Sequence, residues 1–368
     1  MHVPDGFLDA STSIATGAVA AGAVGLALHR SRRELDESGT PLAGLVAVFV
    51  FAVQMVNFPV GAGTSGHLLG GALAAVLVGP WTAVLCLTVV LLVQALVFAD
   101  GGLTALGTNI TLLAVVTALV GYGVTRAVLV VLPRRPASVV PAAAVGAFAS
   151  VPAAALVFVG LYALGGAVPV PLHQLTAAMV GWHLVIGAGE AMITAAVLGA
   201  VVATRPDLVH AARHLRPSLV LVDATGARTA AGDDAPAAAL LPGGAVAAGE
   251  VPARGPARRP LAVGAAISLI VAGLVSLVAS ARPDGLEHVG NTLGFADSAR
   301  DSAAGGGPLA DYAVRGLDAV ASTGLAGVAG VLAVAVVSAL VLTLARRLPR
   351  SGRSGHPRQA GSTPAAAR

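Results

Sequence analysis

Between Gly39 and Thr125 the chain carries one charged residue, Asp100, and between Pro136 and Thr204 it again carries one, Glu190. Runs this long without charge are incompatible with a water-facing surface. They suit a lipid-embedded one, where each ionised side chain costs about 3 kcal/mol or more at the centre of a helix. Across 368 residues the charged fraction is 11% and the hydrophobic fraction 56%, against about 25% charged in ordinary soluble domains. The pattern therefore predicts an all-α integral membrane protein.

A bilayer core needs about 20 apolar residues per helix. On that basis we read apolar spans at roughly 11–28, 42–57, 66–79, 81–99, 107–132, 138–165 and 174–203, the third being short enough to be partial or tilted. Two more follow at about 261–280 and 324–345. The expectation is a bundle of about seven helices plus a two-helix accessory domain, about nine transmembrane helices in all. The domain limits are 1–205, a low-complexity cytoplasmic linker at 206–260, a second domain at 261–350 with an external loop, and a disordered basic tail at 351–368.

Arginine sets the orientation. Arg30, Arg32 and Arg33 follow the first span, Arg126, Arg134 and Arg135 close the fifth, and Arg205, Arg213 and Arg216 follow the seventh. The intervening loops, near 1–10, 58–67, 100–108 and 166–173, contain no Arg. This asymmetry predicts a plasma-membrane protein with its N-terminus outside and its C-terminus in the cytoplasm. The formal charge of +4 is topological rather than a nucleic-acid patch.

Several function classes are excluded. All 22 basic residues are Arg, and a P-loop requires lysine, so the chain is no ATPase of that type. Cys86 is the only cysteine, which rules out an internal disulfide and a cysteine-based zinc site. No constellation supports an intramembrane protease. The start, MHVPDGFLD, lacks the basic region of a cleavable leader, so Met1 is expected to remain as the mature N-terminus.

Chemistry concentrates at that end. A free α-amine, the next backbone nitrogen and the His2 ring can close two fused chelate rings, and one further imidazole completes a square of four nitrogens suited to Ni²⁺ and accessible to Co²⁺. His67, in a glycine-rich stretch on the same predicted side, is the preferred fourth donor, with His173 its rival. A solvated terminal histidine and a packed polar residue are the plain alternatives for His2 and His67. Asn57 and Ser65 flank the loop and are expected to orient His67. Asp100 serves as a helix cap or attracts cations. Asp5 orders the N-terminal loop or is solvated. His183 and Glu190 lie seven apart on one helix face, about 10 Å from each other, as an interhelical tie or as gating groups.

MHVPDGFLD, SGHLLGG at 65–71, FADGGLTALGTNI at 98–110 and GWHLVIGAGEAMIT at 181–194 resemble the substrate-binding component of cobalt and nickel energy-coupling-factor transporters, the CbiM/NikM type. SARPDGLE at 280–287 resembles the small CbiN/NikN accessory component, here fused. The resemblance implies Met1, His2 and His67 as metal ligands, Ni²⁺ or Co²⁺ as cargo with no permanently bound cofactor, and an accessory loop that docks rather than ligates. It also implies two partner ATPases, a transmembrane scaffold subunit, and no enzymatic activity in the chain itself. A proton-coupled secondary transporter using His183 and Glu190 is the competing reading.

Overall fold

The computed structural model describes residues 1–61, 63–215, 220–222, 228–230, 258–314 and 317–347. Most of the expected linker and all of the 351–368 tail lie outside the described residues. The described chain is a bundle of apolar helices: α1 (Ala10–Ser38), α2 (Thr40–Gln54), α3 (Gly71–Val78), α4 (Pro80–Val97), α5 (Leu106–Asn109), α6 (Thr117–Val131), α7 (Val139–Gly165), α8 (Leu172–Thr204), α9 (Arg258–Gly273), α10 (Gly285–Leu293) and α11 (Ala319–Arg347). A π-helical stretch, Ile110–Val116, joins α5 to α6. Its wider i→i+5 turn often marks a functional position, and here it follows directly on Asn109.

Seven helices among the described residues are long and apolar enough to cross a membrane, and α2 is a shorter apolar helix of 15 residues. The expected span at 66–79 is not a continuous helix. It starts at the end of the hairpin β1 (Phe58–Gly61) and β2 (Thr64–Gly66), antiparallel with Pro59 opposite Ser65, and continues as a non-helical stretch and the eight residues of α3. The sequence cause is glycine. Gly70 sits at φ +81, a conformation costly for other residues, and a Cβ there would lie 2.7 Å from Val50 Cγ1. The helix therefore begins only at Gly71, and His67 lies in the non-helical stretch before it.

α3 is buried along its whole length and α4 nearly so, which makes them the core around which the other helices pack. α4 begins at Pro80, whose fixed φ suits a first helical position. Its free N–H groups are met by Glu34 of α1, which accepts from Trp81 N (3.2 Å) and Thr82 N (2.6 Å). α9 and α11 pack against each other and against α2, and α11 also packs on α4. The accessory helices thus complete the bundle rather than forming a separate body. A two-stranded pairing of Val220–Val222 with Arg228–Ala230 lies beyond α8.

Candidate metal centre

The first nine residues do not trail into solvent. Met1, Val3, Asp5, Phe7 and Leu8 are buried, and neighbouring segments hold them in place. Val3 is clasped by Asn109, whose Oδ1 accepts from Val3 N (2.7 Å) and whose amide donates to Val3 O (3.0 Å). Gly102 N also donates to Val3 O (2.9 Å). Asp5 accepts from Leu103 N, Thr104 N and Ala105 N at 3.1, 2.7 and 3.3 Å, so its carboxylate caps the turn that opens α5. The close fit explains Gly102: it lies at the point where a Cβ would come within 2.3 Å of Asp5 N. At Asp9 the side chain caps α1 through Thr12 N (2.7 Å), ending the loop.

This threading brings the Met1 amine to His67. Its nitrogen lies 2.8 Å from His67 Nε2, and the His2 and His67 rings stack with centroids 5.2 Å apart and planes 9° from parallel. His67 Nδ1 faces the Leu68 carbonyl at 3.0 Å. A carbonyl can only accept, so Nδ1 carries the proton and Nε2 presents its lone pair to the amine. Two nitrogens adjacent on a square around an ion at about 2.0 Å are about 2.8 Å apart, so amine and imidazole already have the separation of neighbouring ligands. Burial, with the terminal ammonium close by, lowers the affinity of both rings for a proton. This favours the neutral imidazole, the form that binds metal.

His2 is turned differently from what a chelate needs. Its Nδ1 lies 3.2 Å from Asp100 Oδ1, while Nε2 is buried without a partner. The six-membered chelate ring runs from the His2 amide through Cα, Cβ and Cγ to Nδ1, so closing it takes Nδ1 away from Asp100. Among the described residues Asp100 caps no helix: one oxygen faces His2 Nδ1 and the other accepts from Tyr312 Oη (2.7 Å) of the accessory segment.

Asp284, in the SARPDGLE stretch, is a member of the site that sequence reasoning missed. Its Oδ2 forms an ion pair with the Met1 amine and lies 4.0 Å from His67 Nε2. Its Oδ1 caps α10 through Leu286 N and Glu287 N. Burial pushes its carboxyl up, but the terminal ammonium and His67 outweigh this and hold it well below the usual carboxylate range. The one signal that could have found it is an acidic residue inside a recognisable motif.

Ser65 and Asn57 do not orient His67 as expected. The Ser65 hydroxyl donates to Arg282 O (2.7 Å), its amide donates to Pro283 O (2.8 Å), and the Asn57 carbonyl accepts from Ser280 N (2.8 Å). Both grip the accessory segment, because the extended chain at 280–283 runs along the hairpin. The residue that sets the His67 loop is Glu190, whose two oxygens accept from Leu69 N (2.6 Å) and Gly70 N (2.8 Å). His183 Nδ1 meets Met179 O (2.7 Å). His173 is exposed at the start of α8, away from these groups. Among the described residues no three His, Cys, Asp or Glu side chains are placed to hold an ion.

Comparison with known proteins fits this picture. A family model for the CbiM cobalt uptake substrate-specific transmembrane region matches residues 2–208, and one for the PDGLE domain matches 258–347. A Haloquadratum walsbyi protein named as a metal transport protein is 41% identical over 209 residues, covering 57% of this chain and 93% of its own. The fused nickel transport protein NikMN of Rhodobacter capsulatus is 37% identical over 225 residues, 57% of this chain and 64% of that one. The cobalt transport protein CbiM of Sorangium cellulosum is 43% identical over 125 residues, 33% and 56% of the two chains. With more than half of its length matched by the family model, the chain belongs to the CbiM family of membrane metal-transport proteins, joined in one polypeptide to a PDGLE region of the CbiN type.

Proposed function

We propose that the chain is the substrate-capture subunit of an energy-coupling-factor importer for Ni²⁺ or Co²⁺. It holds the ion in a square of four nitrogens: the Met1 amine, the His2 amide, His2 Nδ1 and His67 Nε2. The observation that carries this reading is the 2.8 Å approach of a terminal amine to a histidine lone pair 66 residues away. In the metal-free chain the contact is a charge-assisted hydrogen bond, and it holds the two nitrogens at the spacing of adjacent ligands. Loading releases protons from the amine and the His2 amide, so affinity falls in acid. The site opens to the extracytoplasmic side, separate ATPases and a membrane scaffold subunit supply the energy, and nucleic acid plays no part. The 1–205 and 261–350 domains act together at the site.

The proton-coupled alternative would need Glu190 free to exchange protons. Both of its oxygens are instead engaged by backbone N–H groups, which favours a scaffolding role. The test is Ni²⁺ and Co²⁺ calorimetry on protein starting at Met1, on His2→Ala, and on protein with two residues added before Met1. An extension converts the amine to an amide and leaves Asp284 without its cation. Loss of at least about 1,000-fold in affinity, equivalent to about 4 kcal/mol, is expected from it and from His2→Ala. Unchanged binding by the extended protein would refute the chelate.

A further inference from the structure

Beside the four-nitrogen arrangement lies a cavity of about 10 Å³ lined by Met1, His67, His183, Ile186, Asp284 and Gly285. It admits one water-sized or ion-sized occupant. His183, from the middle of α8, is 1% exposed. Because its Nδ1 meets the Met179 carbonyl, that nitrogen carries the proton and Nε2 keeps its lone pair. Nε2 is buried and has no hydrogen-bond partner among the described residues, although a bare buried acceptor costs about 1–3 kcal/mol. Gly285 keeps its approach open: a Cβ there would stand 3.2 Å from His183 Cε1 and 3.5 Å from Nε2. Next to Gly285, Asp284 brings a carboxylate to the same cavity, 4.0 Å from His67 Nε2.

We infer that His183 Nε2 and the Asp284 carboxylate form a staging position, where an incoming divalent cation exchanges part of its water shell before passing to the Met1, His2 and His67 nitrogens. The inference rests on the capture reading above and adds a second, transient metal position to it. An imidazole lone pair and a carboxylate are ordinary ligands for these ions. Their number is what suits a stopover. Two protein donors with no third His, Cys, Asp or Glu converging on them among the described residues bind weakly, and a transit position must release its ion as readily as it takes it. At this position Asp284 exchanges the terminal ammonium for the metal, so the accessory segment takes part in loading rather than only docking. One histidine and one carboxylate, contributed by the two fused halves, then frame the last step before capture.

The test is stopped-flow loading of the full chain with Ni²⁺ in detergent, release into excess chelator, and equilibrium affinity by calorimetry. The variants are His183→Leu, His183→Gln, Asp284→Asn and Gly285→Ala, the last filling the cavity with a methyl group that meets Ile186 and the edge of the His183 ring. A staging position lowers the barrier in both directions. His183→Leu is therefore expected to slow loading and release together by about 10-fold or more, with affinity kept within about 2-fold. His183→Gln, whose side-chain oxygen can reach the same spot, is expected to recover part of both rates, and Asp284→Asn and Gly285→Ala to slow both. Unchanged rates in His183→Leu and Gly285→Ala overturn the proposal, as does a faster release with unchanged loading, which would mark His183 as structural. Should His183→Leu fail to fold, Gly285→Ala decides alone: slowed loading and release support the staging position, and unchanged rates overturn it. Failure of the capture reading shows separately, as wild-type affinity in His2→Ala whatever His183 does.

Discussion

Glu190→Gln perturbs the loop that presents His67 by changing one atom. In the native chain the Glu190 oxygens accept from two successive buried amides, Leu69 N at 2.6 Å and Gly70 N at 2.8 Å, and the residue is fully buried. A glutamine keeps one acceptor and places an NH₂ against the other N–H, so one bond to a charged group is lost and one buried donor is stranded. The first is worth about 1.5–3 kcal/mol and the second about 1–3 kcal/mol. If about 1.4–2.7 kcal/mol remains as a net preference for undocked residues 67–70, the binding-competent fraction falls to about 1–10%, and apparent affinity falls by its inverse, about 10- to 100-fold. Calorimetry with Ni²⁺ on protein starting at Met1 measures this directly, and a melting scan of the metal-free protein should show the same loss. The substitution is thus not silent under the capture reading. Affinity within about 2-fold of wild type, together with lost uptake that needs no ATPase partner, would refute the reasoning and restore the proton-coupled alternative.

Two further outcomes follow from the geometry. Asp5→Ala removes the acceptor shared by Leu103, Thr104 and Ala105; stranding these amides should cost about 3 kcal/mol, seen as a lower melting temperature and at least about 10-fold weaker Ni²⁺ binding, with Asp5→Asn intermediate. Docking of the N-terminal segment should weaken as pH falls below about 6.5, the ordinary histidine value. There the undocked rings take up protons that buried His2 and His67 refuse, at up to about 1.4 kcal/mol per pH unit for each ring. Asp284, whose affinity for protons is depressed, stabilises docking down to about pH 4, the ordinary carboxylate value, and loses its effect only below that. Hydrogen exchange at the Val3 amide in metal-free protein should therefore speed up between pH 7 and pH 5, once corrected for the intrinsic pH dependence of exchange; a flat corrected profile would contradict this.

The membrane character was legible because it is written in composition and in uninterrupted apolar runs, which need no tertiary information. The candidate donors Met1, His2 and His67 were legible because terminal position and a glycine-flanked histidine are local signals. What could not be read was long-range pairing. Asp284 meets Met1 across 283 positions, and Asn109 clasps Val3 across 106; neither contact leaves a period in the sequence. The break at 66–70 was missed as such because residues 66–79 are apolar in either conformation, and only the demand at Gly70 for positive φ distinguishes them. Ser65 and Asn57 were assigned by nearness in sequence, whereas the extended hairpin points them at a segment more than 200 residues on.

The accessory segment is stitched to the first half through several backbone bonds: Ser65 to Pro283, Ser280 to Asn57, Arg300 to Asp5, and Asp311 to Phe98. Because both partners lie on one polypeptide, their encounter is intramolecular. Copy number and dilution in the bilayer then cease to matter. Every chain carries the carboxylate that faces its own Met1 amine, in a ratio of one to one.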